Sequence, residues 1–194
     1  YITAYICLIF RAKNTANIVS YVIHMEFFDV LEKRRSIRKY EKSMLMEEKE
    51  KVIKIFEAAN SAPSAGNLQS YEIFVLKDNE MEEAVKNGCF RQKFIADASV
   101  AIIFCANPER CAQYGKRGKE LYSIQDATIA CAYAQLAATA QGLGSVWVGA
   151  FDPEKVKKMI NTKFEPVAVL IIGYPDENPE KTPRRELQDL VHAE

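Results

Sequence analysis

The sequence predicts a layered domain of alternating helices and strands, of the α/β or α+β class. Three observations support this. Ser99–Cys105 and Val167–Ile172 are apolar without alternation, as strands covered on both faces require. Segments of helical period lie before, between and after them. No internal repeat divides the chain.

Taken in order, Phe27, Val30 and Leu31 recur at helical spacing over residues 26–35. A second helix covers about 47–60, with Val52, Ile55, Phe56 and Ala59 as its stripe. Turn residues fill the loop 61–67. Tyr71–Lys77 reads as a strand, 80–87 as a charged helix, and 90–96 as a short helix before the strand at Ser99. Residues 107–122 are polar, hold two glycines, and read as a mobile excursion. A long helix over 122–141 carries seven alanines and is apolar or small nearly all round. Such a helix belongs in a core or a subunit interface. Ser145–Val148 is a short strand, and Asp152 caps a helix at 153–160 with Pro153 in its first position. A Pro- and charge-rich tail follows the last strand.

Residues 25–194 suit a single domain. Residues 1–24 read as an extension, either loosely attached or without a structural role. The apolar run YITAYICLIF within them is about half the length that spans a bilayer. Lysine plus arginine number 26 and aspartate plus glutamate 26, so a nucleic-acid partner is not expected. No membrane partner is expected either. Five cysteines without a CxxC pair, and only two histidines, His24 and His192, argue against a metal site or a disulfide framework. They favour a reducing, cytoplasmic setting.

Four segments could carry chemistry. Arg34, Arg35, Ser36 and Arg38 form a cluster able to hold a phosphate or carboxylate; a basic helix end gives the same pattern. The loop APSAGNLQ offers Pro63, Ser64, Asn67 and Gln69 to a flat ligand, or is simply a helix-ending loop. Gly149 and Ala150 follow a buried strand, where small residues bare backbone N–H groups or form a tight turn. Arg184 and Arg185 either return to an anion or lie in solvent. No GxGxxG, GxxxxGK[ST], HExxH or GxSxG motif occurs, so a bound cofactor is the natural carrier of any chemistry.

In order and spacing, RRSIRKY, APSAGNLQSYEIFVL, SIQDATIACAYAQLAATAQGLGSVWVGAF, VLIIGYP and TPRREL resemble the FMN-dependent nitroreductase family, over residues 26 to about 192. The resemblance implies an α+β three-layer sandwich with a mainly antiparallel sheet, assembled as an intertwined homodimer with FMN at the interface. It implies that Arg34, Arg35 and Ser36 hold the FMN phosphate and ribityl end, and that Arg184 and Arg185 return to the phosphate. Arg38 would lie at the pyrimidine edge of the ring. Pro63, Ser64, Asn67 and Gln69 would contact the ring from the partner subunit, and Gly149 and Ala150 would lie near N5. The implied activity is ping-pong hydride transfer from NADH or NADPH to a small acceptor such as a nitroaromatic or quinone. Relatives with dehalogenating or flavin-fragmenting chemistry, and an FMN-storing or sensing module, are the alternatives. Where the family often has Gln-Pro-Trp, this chain has Gln69-Ser70-Tyr71. Tyr114 and Tyr122 are candidates for acceptor contact or are ordinary surface tyrosines, while Lys39 and Tyr40 receive no role.

Overall fold

The computed structural model describes residues 25–41, 45, 48–77 and 79–192; the expected extension at 1–24 lies outside them. The helices are α1 (Phe27–Lys33), α2 (Lys49–Asn60), α3 (Asn79–Lys86), α4 (Ser123–Ala140) and α5 (Pro153–Met159). The strands are β1 (Tyr40–Glu41), β2 (Tyr71–Lys77), β3 (Val100–Ala106), β4 (Gly144–Val148) and β5 (Glu165–Pro175).

Every strand pairing in the sheet is antiparallel, which settles the class as α+β. β5 is the hub: β3, β4 and the short β1 all pair with it, and β2 lies outside β3. Seven consecutive residues of β3 are buried, the double-sided covering that its unbroken apolar run predicts. One face packs Val100, Ile102, Phe104, Leu170 and Ile172 against α2 and α4. The other packs Ala101, Ile103, Val146 and Ile171 against α3, α5 and Ile37. The two faces alternate along each strand with the period-2 geometry of the pleat. The result is helix, sheet, helix: three layers.

Local chemistry explains the boundaries. Asp152 Oδ1 accepts from the backbone N–H groups of Glu154 and Lys155 at 3.1 Å, so α5 starts on the expected cap, with Pro153 following. Ala127, Ala130, Ala134 and Ala138 are buried and let α4 lie close on β3 and β5.

Two expectations need correction. The α1 stripe buries only Val30; Phe27 is 60 % exposed and Phe28 80 %, because α1 meets the rest of the chain along one narrow edge. The excursion at 107–122 is an arch of short helical turns, kinked at Cys111 (φ −113°, ψ 23°) and at Gly115 (φ 62°, ψ −145°). A 3-10 segment (Pro108–Tyr114), one α turn (Gly115–Arg117) and a π turn (Gly118–Tyr122) run into α4. Buried Cys111 ties it together, its thiol donating to Gly118 O at 3.0 Å. In α4 the alanine face lies in this chain's core, while Ile124 and Tyr133 remain exposed in the single chain.

Ala130 has no accessible surface and sits in the layer between α4 and the sheet. Ala130→Leu should therefore cost about 1–3 kcal/mol through overpacking, read as a lower urea midpoint at constant m-value. An unchanged midpoint would mean that the contact has slack.

Candidate functional site

The arginine segment leaves the C-terminus of α1 and runs onto the sheet. Ile37 N–H donates to Ser145 O at 3.0 Å, and Ser36 bridges Ser145. Gly144 makes this approach possible: a Cβ there would lie 2.9 Å from Ile37 Cγ2. Tyr40, for which the sequence suggested nothing, is buried and donates its hydroxyl to Ile37 O at 2.6 Å. Burial, then the Glu177 carboxylate, push its pKa well above the ordinary phenol value. Glu177 also accepts from the backbone N–H groups of Arg38 and Lys39, fastening the segment to the chain beyond β5.

This anchoring crowds three guanidiniums. Arg35 folds back so that Nη1 donates to Glu32 O and Arg34 O. Its Nε is buried and has no partner. Arg34 is half-buried; burial, then the nearby charges of Arg184 and Arg35, hold its pKa below the ordinary guanidinium value. Arg184 has thus come back from the tail, which a Lys181–Glu32 ion pair draws across α1. Among the described residues, neither Arg34 nor Arg184 forms an ion pair. A buried unpaired N–H beside crowded cations is costly unless an anion joins them, and a phosphate fits that donor set. Arg38 is exposed, with Nη1 at 3.4 Å from Ser36 O. Arg185 instead donates to Asp189 O at 2.6 Å, within the tail.

The second group lies elsewhere. After α2 the loop turns through left-handed backbone at Gly66 (φ 56°), Asn67 (φ 57°) and Gln69 (φ 42°). Two of these three are not glycine, and such conformations need support from their surroundings. Asp126 of α4 supplies it. This carboxylate, 2 % exposed, accepts from Ala65 N–H at 2.9 Å, Ser70 N–H at 3.2 Å and the Ser70 hydroxyl. Ser64 Oγ accepts from Gln69 N–H at 3.0 Å, and Gln69 Nε2 donates to Asn67 Oδ1 at 2.7 Å. Asp126 was missed because α4 was read by its alanines. The available signal was one acid in an otherwise apolar helix, since a buried carboxylate must find donors.

The arch leans on this loop. A Cβ at Gly66 would lie 2.2 Å from the Tyr114 hydroxyl oxygen. Tyr114 and Tyr122 meet edge to face at 5.5 Å, and Arg110 Nε donates to Leu68 O at 2.9 Å. Tyr122 lines an open cleft of about 500 Å³ together with Pro63, Ser64, Thr128 and Ile129. Gly149 and Ala150 are exposed at the end of β4. A side chain at 149 would meet nothing within 4 Å, so in this chain the glycine is not required by a close approach.

These groups do not converge within one chain. Thr139 and Arg35 border a cavity of about 180 Å³, whereas Asp126 borders the loop cleft. Asp126 and Thr139 are thirteen positions apart on α4, roughly 20 Å along the helix.

A sequence model of the Nitroreductase family matches residues 31–89 and 80–174. The chain belongs to the nitroreductase family. A relative in Methanothermobacter thermautotrophicus, provisionally named NADH dehydrogenase/NAD(P)H nitroreductase, is 33 % identical over 86 % of this chain and 86 % of its own length. A Bacillus subtilis relative named FMN reductase [NAD(P)H] is 30 % identical over 87 % of this chain and 74 % of its own. A crystal structure of a nitroreductase family protein from Clostridium difficile aligns with TM-score 0.76 and 30 % identity, over 88 % of this chain and 99 % of that one. The nitroreductase sandwich is thus the fold of this chain.

The described thiols of this nitroreductase-family chain are poor candidates for its chemistry. Cys89, Cys105, Cys111 and Cys131 are free and buried, and burial pushes the Cys105 thiol up to about 12. Asp126→Asn would place an amide N–H₂ against donors of the loop. It should lower stability by about 1.5–3 kcal/mol and speed proteolysis within residues 63–69. Wild-type values for both would remove the anchoring role.

Proposed function

We propose that this chain is an FMN-dependent oxidoreductase that takes hydride from NADH or NADPH and gives it to a small conjugated acceptor, such as a nitroaromatic or quinone. The observation that carries the reading is the Arg34–Arg35–Arg184 cluster with its buried, unpartnered Nε, a seat for one compact dianion. The names of the relatives, FMN reductase [NAD(P)H] and NAD(P)H nitroreductase, support the cofactor and the donor. When bound, FMN supplies the hydride-accepting and hydride-returning centre at N5.

This chain's residues bind and orient. Arg34, Arg35, Ser36 and Arg184 hold the phosphate end; Arg185 would join them only on leaving Asp189. Arg38, exposed and free of ion pairs among the described residues, offers a cation to the pyrimidine edge, where reduced flavin is negative. Gly149 lies four residues beyond Ser145, just past the end of β4, and its backbone and that of Ala150 would be offered to the ring. Pro63, Ser64, Asn67 and Gln69 serve the ring of a second copy. An antiparallel pairing of two α4 helices about a two-fold axis sets the Asp126 end of one against the Thr139 end of the other. Exposed Tyr133, with half-buried Ile129 and Leu136 on the same face of α4, supports such a homodimer.

The acceptor is a small molecule, and no described helix is long and apolar enough to cross a membrane. The four buried, unpaired thiols support a reducing, cytoplasmic setting.

Purified protein should be yellow, and its flavin band should bleach anaerobically with NADH or NADPH. Arg35→Ala should weaken FMN binding about 10- to 100-fold, the loss of one hydrogen-bonded charge, measured by equilibrium dialysis. A chain that refuses FMN, or an Arg35→Ala variant with wild-type affinity, overturns the reading.

A further inference from the structure

We infer that the cleft beside Tyr122 takes a flat aromatic acceptor carrying a negative charge, and that Arg117 selects for that charge. The inference rests on the flavin-dependent reading above and narrows its substrate class.

The cleft has about 500 Å³ of space, within the range of small-molecule sites. Its walls are mostly apolar: Pro63 and Tyr122 on one side, Thr128 and Ile129 of α4 on the other. A flat ring suits such walls, because the Tyr122 ring offers surface for stacking. Asp126 borders the cleft, but its oxygens are occupied by Ala65 and Ser70.

Charge enters at the rim. Arg117 lies over the Tyr122 ring, 5.6 Å from its centre, and its Nε donates to the Tyr122 hydroxyl at 3.1 Å. Both contacts fix the guanidinium beside the cleft while leaving its terminal nitrogens exposed. The other cations of this stretch are paired: Lys116 with Glu120, and Lys119 with Glu109. Arg117 forms no ion pair among the described residues, so the acids of the arch are spent on its neighbours. The π turn Gly118–Tyr122, a geometry that recurs at functional sites, is what sets Arg117 and Tyr122 face to face. A carboxylate on an aromatic ring seated in the cleft would meet the guanidinium fork bidentately.

The test uses the protein with FMN bound and two matched probes, para-nitrobenzoate and the neutral para-nitrobenzamide. Wild type should favour the benzoate, and the ratio of kcat/KM values should fall about tenfold in Arg117→Gln, the loss of one charged hydrogen bond. Lys116→Gln, which removes a cation already paired, should leave the ratio unchanged. Calorimetry on the oxidised protein reads the same preference without turnover. Binding selectivity that depends on Arg117, in a protein that reduces neither probe, would therefore keep this inference and overturn the reductase reading. Equal affinity for both probes in wild type, or a preference that survives Arg117→Gln, overturns the inference.

Discussion

The contact between the alanine face of α4 and the paired strands β3 and β5 places almost everything else. Small side chains bring the helix axis close to the sheet, and the helix is long enough to touch both ends of the domain. At one end its Asp126 fastens the 63–70 loop. At the other, Thr139 stands beside Arg35. Because the helix is rigid, the two groups of candidate ligands are held apart in one chain. The second copy proposed above would bring unlike ends together. What favours it is the length of one helix and what is attached to each end.

Electrostatics gives the same division. The chain as a whole is neutral, so a crowded set of guanidiniums is a local arrangement and not a consequence of composition. Arg34 is half-buried beside two other cations, an arrangement that costs free energy until a counter-charge arrives. The fold sustains it with contacts that leave the guanidiniums unpaired: Gly144 under Ile37, Tyr40 on Ile37 O, and the Glu177 carboxylate on backbone N–H groups. Glu177 spends its charge on the backbone, which leaves the arginines available for a ligand.

Much of this was legible in the residues. Unbroken apolar runs identified β3 and β5, and the Asp152-Pro153 pair located the start of α5. The antiparallel pairing came only from the resemblance, since apolar periodicity is the same for either direction of pairing. The arginine cluster and the loop were readable as candidates, but their separation came only from the resemblance, because spacing along the chain carries no distance through space. Tyr40 escaped notice because its role is packing on Gly173, a contact between residues 133 positions apart. The arch at 107–122 was misread for a different reason. Its two glycines are poor helix formers, and its order comes from buried Cys111 and from Tyr114 lying against Gly66, a tertiary effect that overrides propensity.

That ordered arch changes how acceptor choice is to be understood. A mobile flap would accept many shapes and pay in ordering entropy for each. Here Tyr114 presses on Gly66, the one position of the loop with no side chain to obstruct it, and Arg110 holds Leu68. The wall that faces an acceptor and the loop proposed to face the flavin ring therefore behave as one body, fastened beneath by Asp126. A change in the arch is then transmitted to the loop, and selectivity and cofactor contact cannot be tuned independently. Arg117 is the exception. It projects from the rim and touches only Tyr122 among the aromatic residues of that wall, so its charge can be altered without disturbing the loop.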